Sequence, residues 1–285
     1  MGGGLLSTFP GPLMYRAAEA WPVLQRPWLM TDNPDKFRVA GRGELHLSIL
    51  IETMRREGYE LAVSRPEVIL KEVDGEKQEP YETLTIDVEE THQGTIMEKL
   101  GAKKGELLDM VPDGKGRVRL DYVIPSRSLI GFHTEFLTLT SGSGLMHHAF
   151  DHYGPLMANM QASRQNGVMI SNCDGKALGY ALFSLQERGR MLIGPQTEVY
   201  EGMLVGIHSR DNDLTVNPTK AKQLTNMRAS GSDENIILTP PIKFSLEQAL
   251  EFIADDELVE VTPKSIRLRK KFLKETDRKR GGKTN

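Results

Sequence analysis

Between residues 208 and 231, HSRDNDLTVNPTKAKQLTNMRASG, the cations Arg210, Lys220, Lys222 and Arg228 recur among asparagines, threonines and serines. Those residue types together suit a polyanion, because cations neutralise phosphates while short amides and hydroxyls donate and accept at sugar and base edges. An ordinary solvated loop has the same composition, so the residues alone leave both readings open. The stretch stands out by its length. Leu214, Val216, Leu224 and Met227 keep neither a strand's period of two for long nor a helix's 3.6. A loop beyond about 12 to 15 residues without structure of its own is uncommon and usually functional or disordered.

Other chemistries find less support. GxxxxGK[ST] is absent, and DGKGR at 113–117 falls in a hairpin turn, where no helix N-terminus backs a phosphate. His147, His148 and His152 in HHAFDH imitate metal spacing, but the segment reads as an edge strand and turn with no second ligand cluster, so they read as surface histidines. GxSxG does not occur, and SGSGL at 141–145 follows a helix instead of opening one. Cys173 lies beside Asp174-Gly175 without a recognisable base, and the acids of FIADDELVE fit a solvated helix end. No catalytic residues emerge, and no metal site. The C-terminus adds a second basic feature: Lys264 to Asn285 carries ten Lys/Arg against two acids, a net of +8, leaving −11 for the rest of a chain whose total is −3. It reads either as another polyanion-facing element or as a solubilising tail.

These residues must be held by folded domains. At 285 residues, 39% hydrophobic and 26% charged, the chain suits a globular protein of two or three domains. One cysteine excludes an intrachain disulfide and fits a reducing, cytoplasmic setting. No apolar run nears the ~18 residues that span a bilayer, so no membrane partner is expected.

Residues 1–30 show no clean periodicity and stay unassigned. From Phe37 the pattern is strand, helix (about Glu44 to Arg56, stopped by Gly58) and strand (Tyr59 to Ser64), the latter half of a ferredoxin-like unit over 31–74. A second such unit, βαββαβ, spans 77–155: YETLTIDVEE, a helix with Ile96, Met97 and Leu100, a hairpin turning at 112–116, a helix from Ser126 to Thr140, and a strand from Leu145 to Phe150. Residues 156–270 read as a mainly β domain. Its strands are expected at Gly167 to Ser171, Ala177 to Phe183, Met203 to His208, LVEVTP and SIRLRK, with one helix at Phe244 to Ala254. The long loop interrupts it, and a basic tail, 271–285, follows. The fold class is α+β.

FRVAGRGELHLSILIETMRREGYELAVSRPEV resembles the end of the third domain of a translational GTPase. RLDYVIPSRSLIGF, YEGMLVGIHSRDNDLTVN, LTNMRASG and LEQALEFIADDELVEVTPKSIRLRK together resemble the BipA/TypA family of ribosome-associated GTPases, over about Thr31 to Arg280. The resemblance implies domains like the third and fifth of elongation factor G and a family-specific C-terminal domain. It implies binding to ribosomal RNA, ribosomal proteins and the acceptor end of A-site tRNA, by a monomer, in translation or in ribosome assembly under stress. It makes Arg210, Asn212, Asp213, Lys220, Lys222, Asn226 and Arg228 candidate RNA contacts, and Arg127 a candidate ribosome contact. GTP and Mg²⁺ would belong to an N-terminal half, so no cofactor and no hydrolysis are expected here. Ser128 stands where the family usually has glycine, and MANMQASRQNGV and VNPTKAKQ differ locally. The residues also admit another function, a protein–protein module whose ferredoxin-like units bind an effector.

Overall fold

The computed structural model describes residues 4–8, 28–30, 36–41, 44–158, 164, 166–221 and 237–281. It divides into two compact units: Met1–Ala162 with Leu246–Phe252, and Ser163–Ser245 with Ile253–Asn285. The architecture is α+β.

The first unit opens with strands β1 (Gly4–Thr8), β2 (Trp28–Met30) and β3 (Lys36–Ala40), helix α1 (Glu44–Arg56) and strand β4 (Leu61–Ser64). β3 pairs antiparallel with both β1 and β2, and β1 pairs with β4 at Ser7 and Val63. Two strands therefore come from a region without legible periodicity. α1 buries Leu47, Leu50, Ile51 and Met54, one stripe at helical spacing, while Ile49 faces outward. Gly58, at φ +96°, ends the helix: its amide donates to Arg55 O and the Tyr59 amide to Met54 O, each at 3.1 Å.

β5 (Lys71–Val73) leads into β6 (Glu76–Glu89), then α2 (Glu90–Ala102), β7 (Glu106–Pro112), β8 (Arg117–Pro125), the short α3 (Ser126–Leu129), α4 (Phe132–Leu139) and β9 (Leu145–Pro155). β6 lies between β8 and β9, with β7 outside β8, all antiparallel. This is the split βαβ sandwich expected for 77–155. Alternation places Leu84, Ile86, Val88, Val118, Leu120, Tyr122 and Ile124 on one sheet face, against Ile96 and Leu100 of α2 and Phe132 and Phe136 of α4. The helix expected across 126–140 is broken at Gly131, whose φ of +75° fits glycine. Ser128 is buried in the first piece, and its hydroxyl donates to Lys103 O at 2.8 Å.

The second unit holds β10 (Val168–Ser171), β11 (Gly175–Lys176), α5 (Gly179–Gln186), β12 (Gly189–Met191), β13 (Glu198–Val199), β14 (Leu204–His208) and β15 (Leu214–Val216). Its main sheet runs β12-β14-β10-β15, with β11–β13 as a separate pair. Met169, Leu182, Met203, Val205 and Val216 fill the core. The strand expected at 177–183 is replaced by α5. GYALFSLQ contains no β-branched residue, and Ala181 and Leu182 are the buried side chains of a helical turn. α6 (Leu246–Phe252) belongs to the first unit, while β16 (Glu257–Val261) and β17 (Ile266–Lys270) form an antiparallel hairpin of the second. The segment expected to trail as a tail contains α7 (Glu275–Gly281), whose Lys279 pairs with Glu275 at 2.7 Å. No helix among the described residues is long and apolar enough to cross a membrane.

A Cβ on Gly131 would lie 3.2 Å from Glu251 O in α6 and would face a positive φ. Gly131→Ala should therefore destabilise the first unit by about 1–2 kcal/mol, read as a lower urea midpoint; an unchanged midpoint would mean that the α3–α4 break relaxes freely.

Candidate nucleic-acid interface

The described part of the long basic segment, residues 208–221, is more ordered than its sequence suggests. After β14 the chain turns back on Gly167: the Gly167 amide donates to Arg210 O at 2.7 Å, and the His208 amide to Gly167 O at 2.9 Å. A Cβ on Gly167 would lie 2.1 Å from Asn212 O, so only glycine allows that approach. His208 Nδ1 lies 2.7 Å from Asn212 O. β15 then pairs parallel with β10, and the Leu178 amide donates to Pro218 O at 2.9 Å. Backbone hydrogen bonds organise 208–219, which is why apolar periodicity does not reveal it.

Asp213, expected at RNA, has its carboxylate engaged by the protein itself, although its side chain stays 39% exposed. Its Oδ1 accepts from the Val168 amide at 2.9 Å, and its Oδ2 lies 2.7 Å from Lys270 Nζ. Lys270, 3% exposed, also reaches Asp256 at 2.8 Å and Glu257 at 2.9 Å, which commits all three of its N–H donors. Glu257 is fully buried and receives the Arg164 guanidinium as a fork, at 2.8 and 3.0 Å, and the Ala254 amide at 2.9 Å. Burial pushes the Asp213 and Glu257 carboxyls up, but hydrogen bonds outweigh it, from Lys270 and Val168 in the first case and from Arg164 in the second. Both are held below the usual carboxylate range. Burial likewise lowers Lys270, yet Glu257, Asp213 and Asp256 raise it overall. This network fixes the root of the basic segment.

The expected contacts thus separate. Arg210, Asn212 and Lys220 are exposed, and neither Arg210 nor Lys220 makes an ion pair among the described residues. Lys222, Asn226 and Arg228 lie outside the described residues. Arg127 is an internal clamp: its Nε lies 2.6 Å from Glu79 Oε2, its Nη2 donates to Glu79 Oε1 at 3.0 Å and to Met157 O, and Glu79 is fully buried. An arginine so engaged has little left for an outside ligand.

The alternative chemistries meet the same test. In DGKGR, Asp113 Oδ1 accepts the Lys115 and Arg117 amides at 2.7 and 3.0 Å, so the turn's donors already serve a carboxylate instead of cradling a phosphate. The Arg117 and Lys115 amides hold the Asp113 carboxyl low. His148 hydrogen bonds to Glu82 at 2.5 Å, while His152 stacks on Tyr81 with ring centroids 5.2 Å apart, so the histidines diverge. Cys173 Sγ rests between Asn217 Oδ1 (3.2 Å) and Thr219 Oγ1 (3.4 Å), with no base beside it among the described residues.

The ferredoxin-like sandwich falls within residues 76–164, which match the elongation factor G C-terminus. Residues 166–275 match the TypA/BipA C-terminal domain. The chain belongs to the TypA/BipA family, of which it carries the C-terminal half. It is 67% identical over 254 residues to a large ribosomal subunit assembly factor BipA of Haemophilus influenzae, covering 89% of this chain and 41% of that protein. The corresponding proteins of Salmonella typhimurium and Buchnera aphidicola are 66% and 58% identical over 250 residues, each covering 88% of this chain and 41% of the relative. The chain therefore spans about two fifths of the length of the relatives it matches.

Proposed function

We propose that this chain is a ribosome-binding portion of a TypA/BipA protein, acting in the cytoplasm in assembly of the large ribosomal subunit and contacting ribosomal RNA and the acceptor end of A-site tRNA. It performs no covalent chemistry in this reading. GTP and Mg²⁺ belong to the family's nucleotide-binding domain, and the chain holds the RNA side of the encounter. The observation that carries it is the division of labour around residue 213. The root of the segment is pinned by buried charges, while Arg210 and Lys220 stand exposed, without an ion pair among the described residues. Lys222, Asn226 and Arg228 continue the same composition, and the relatives' name supports the choice of the large subunit.

If four cations meet phosphates, affinity for purified large subunits should fall with salt at a log–log slope of about −3 or steeper, roughly a hundredfold between about 50 and 200 mM. Lys220→Ala, Lys222→Ala and Arg228→Ala together should flatten that slope by about 2 and leave the melting temperature unchanged. A flat profile in the wild-type chain would end this reading.

One feature favours protein contact as a second role. β7 is an edge strand whose residues are all exposed, with Leu108 at 57%. An apolar edge suits an added strand from a protein. Binding to large subunits that persists in high salt but is lost in Leu108→Lys would support it.

A further inference from the structure

The edge strand β12, the turn that leads into it and the turn after β14 carry Arg190, Arg188 and Arg210. β12 pairs in register with β14, Gly189 to His208 and Arg190 to Ile207, and both the amide and the hydroxyl of Ser209 donate to Arg188 O at 2.9 Å. Backbone bonds therefore hold Arg188 opposite Ser209, the residue before Arg210, and Arg190 opposite Ile207. That backbone is rigid: a Cβ on Gly189 would lie 1.9 Å from Ile207 O, and Gly167 grips Arg210 O from the other side. Elsewhere in this unit arginines are drawn to carboxylates, Arg164 to Glu257 and Arg269 to Glu260. Arg188, Arg190 and Arg210 are exposed and make no ion pair among the described residues, although Glu187 and Asp211 adjoin them in sequence.

We propose that this edge is a phosphate-binding strip for an RNA backbone, in which Arg188 and Arg190 join Arg210; the inference rests on the ribosome-binding reading above. The Ser209 bond to Arg188 O continues the β12–β14 pairing by one residue, so Arg188 and Arg190 stand about 7 Å apart along the edge, a spacing suited to adjacent phosphates of an extended strand. Guanidinium forks fit phosphate in bidentate fashion. α5, which packs against β12 and leads into Arg188, exposes Tyr180 and Phe183 one helical turn apart. Those rings offer stacking faces to unpaired bases beside the cations, a combination that favours single-stranded RNA over an acidic peptide.

The test uses this chain and purified large ribosomal subunits, with affinity measured between about 50 and 200 mM salt. Arg188→Ala with Arg190→Ala should make the log–log slope shallower by about 1.4 to 1.8, so that about tenfold less affinity is lost across the range. Arg188→Lys with Arg190→Lys should keep the wild-type slope, because lysine still neutralises phosphate. A wild-type slope in the alanine pair would overturn the strip while leaving the ribosome-binding reading intact. Absence of wild-type binding at every salt concentration would overturn both.

Discussion

Lys270→Met lowers the stability of the second unit by about 3–5 kcal/mol, the usual penalty for removing one partner from a buried ion pair. The magnitude follows from what is left behind. Asp213, Asp256 and Glu257 all lie within 2.9 Å of the Lys270 ammonium, and Glu257 is fully buried. Arg164 remains, but its fork is already committed to Glu257. Neutralising Asp213 in the same chain, Asp213→Asn beside Lys270→Met, should recover part of the loss, because the uncompensated charge is what is costly and Glu257 keeps Arg164 as its partner. Calorimetry on the chain reads this directly. A loss under about 1 kcal/mol would place the cluster in the class of solvated surface pairs.

The same cluster sets a pH dependence. Asp213 and Glu257 have folded-state values below their unfolded ones, so their contribution is fully present above the unfolded carboxylate range, about 4, and is lost as pH falls through the depressed folded values. Lys270 is raised, so its share is complete below its unfolded value, about 10.4, and fades as pH rises through the folded one. The second unit is therefore expected to hold its melting temperature across neutral pH and lose it first on the acid side. Lys270→Met should weaken that acid dependence.

The sandwich at 77–155 is legible because its strands alternate cleanly and its turn, Pro-Asp-Gly-Lys-Gly, has the residues its backbone needs: Gly114 and Gly116 both adopt positive φ. α5 passes for a strand in the sequence because eight residues are too few for periodicity to separate helix from strand in an apolar run. The candidate interface is legible only in part. Composition draws attention to the right segment but cannot tell Asp213, whose carboxylate is tied to Lys270 and the Val168 amide, from Arg210, which makes no ion pair among the described residues. A signal for its root does exist. Glu257 shares the face of Val259 and Val261, and Lys270 that of Leu268, so each charge stands in the buried phase of its strand. Opposite charges in buried phases on adjacent strands predict an internal pair. Arg164 and Asp213 complete it from far along the chain, and no local pattern announces them.

The same logic governs Arg127. Arg127→Met should destabilise the first unit by about 3–5 kcal/mol, because it strands the fully buried Glu79 carboxylate, which otherwise holds the guanidinium on one side and the Met157 amide at 2.7 Å on the other. That amide alone is a poor substitute for a cation. Ribosome binding would then fall in Arg127→Met for a reason unrelated to RNA, since the clamp fixes the end of β9, where Tyr81 Oη donates to Pro155 O at 2.9 Å. Arg127→Met with Glu79→Leu removes both charges together and should regain most of the stability. With folding restored, the affinity of the double variant for large subunits is expected to equal that of the wild type at every salt concentration. A shallower salt slope in a stable double variant would instead return Arg127 to the RNA-contacting set.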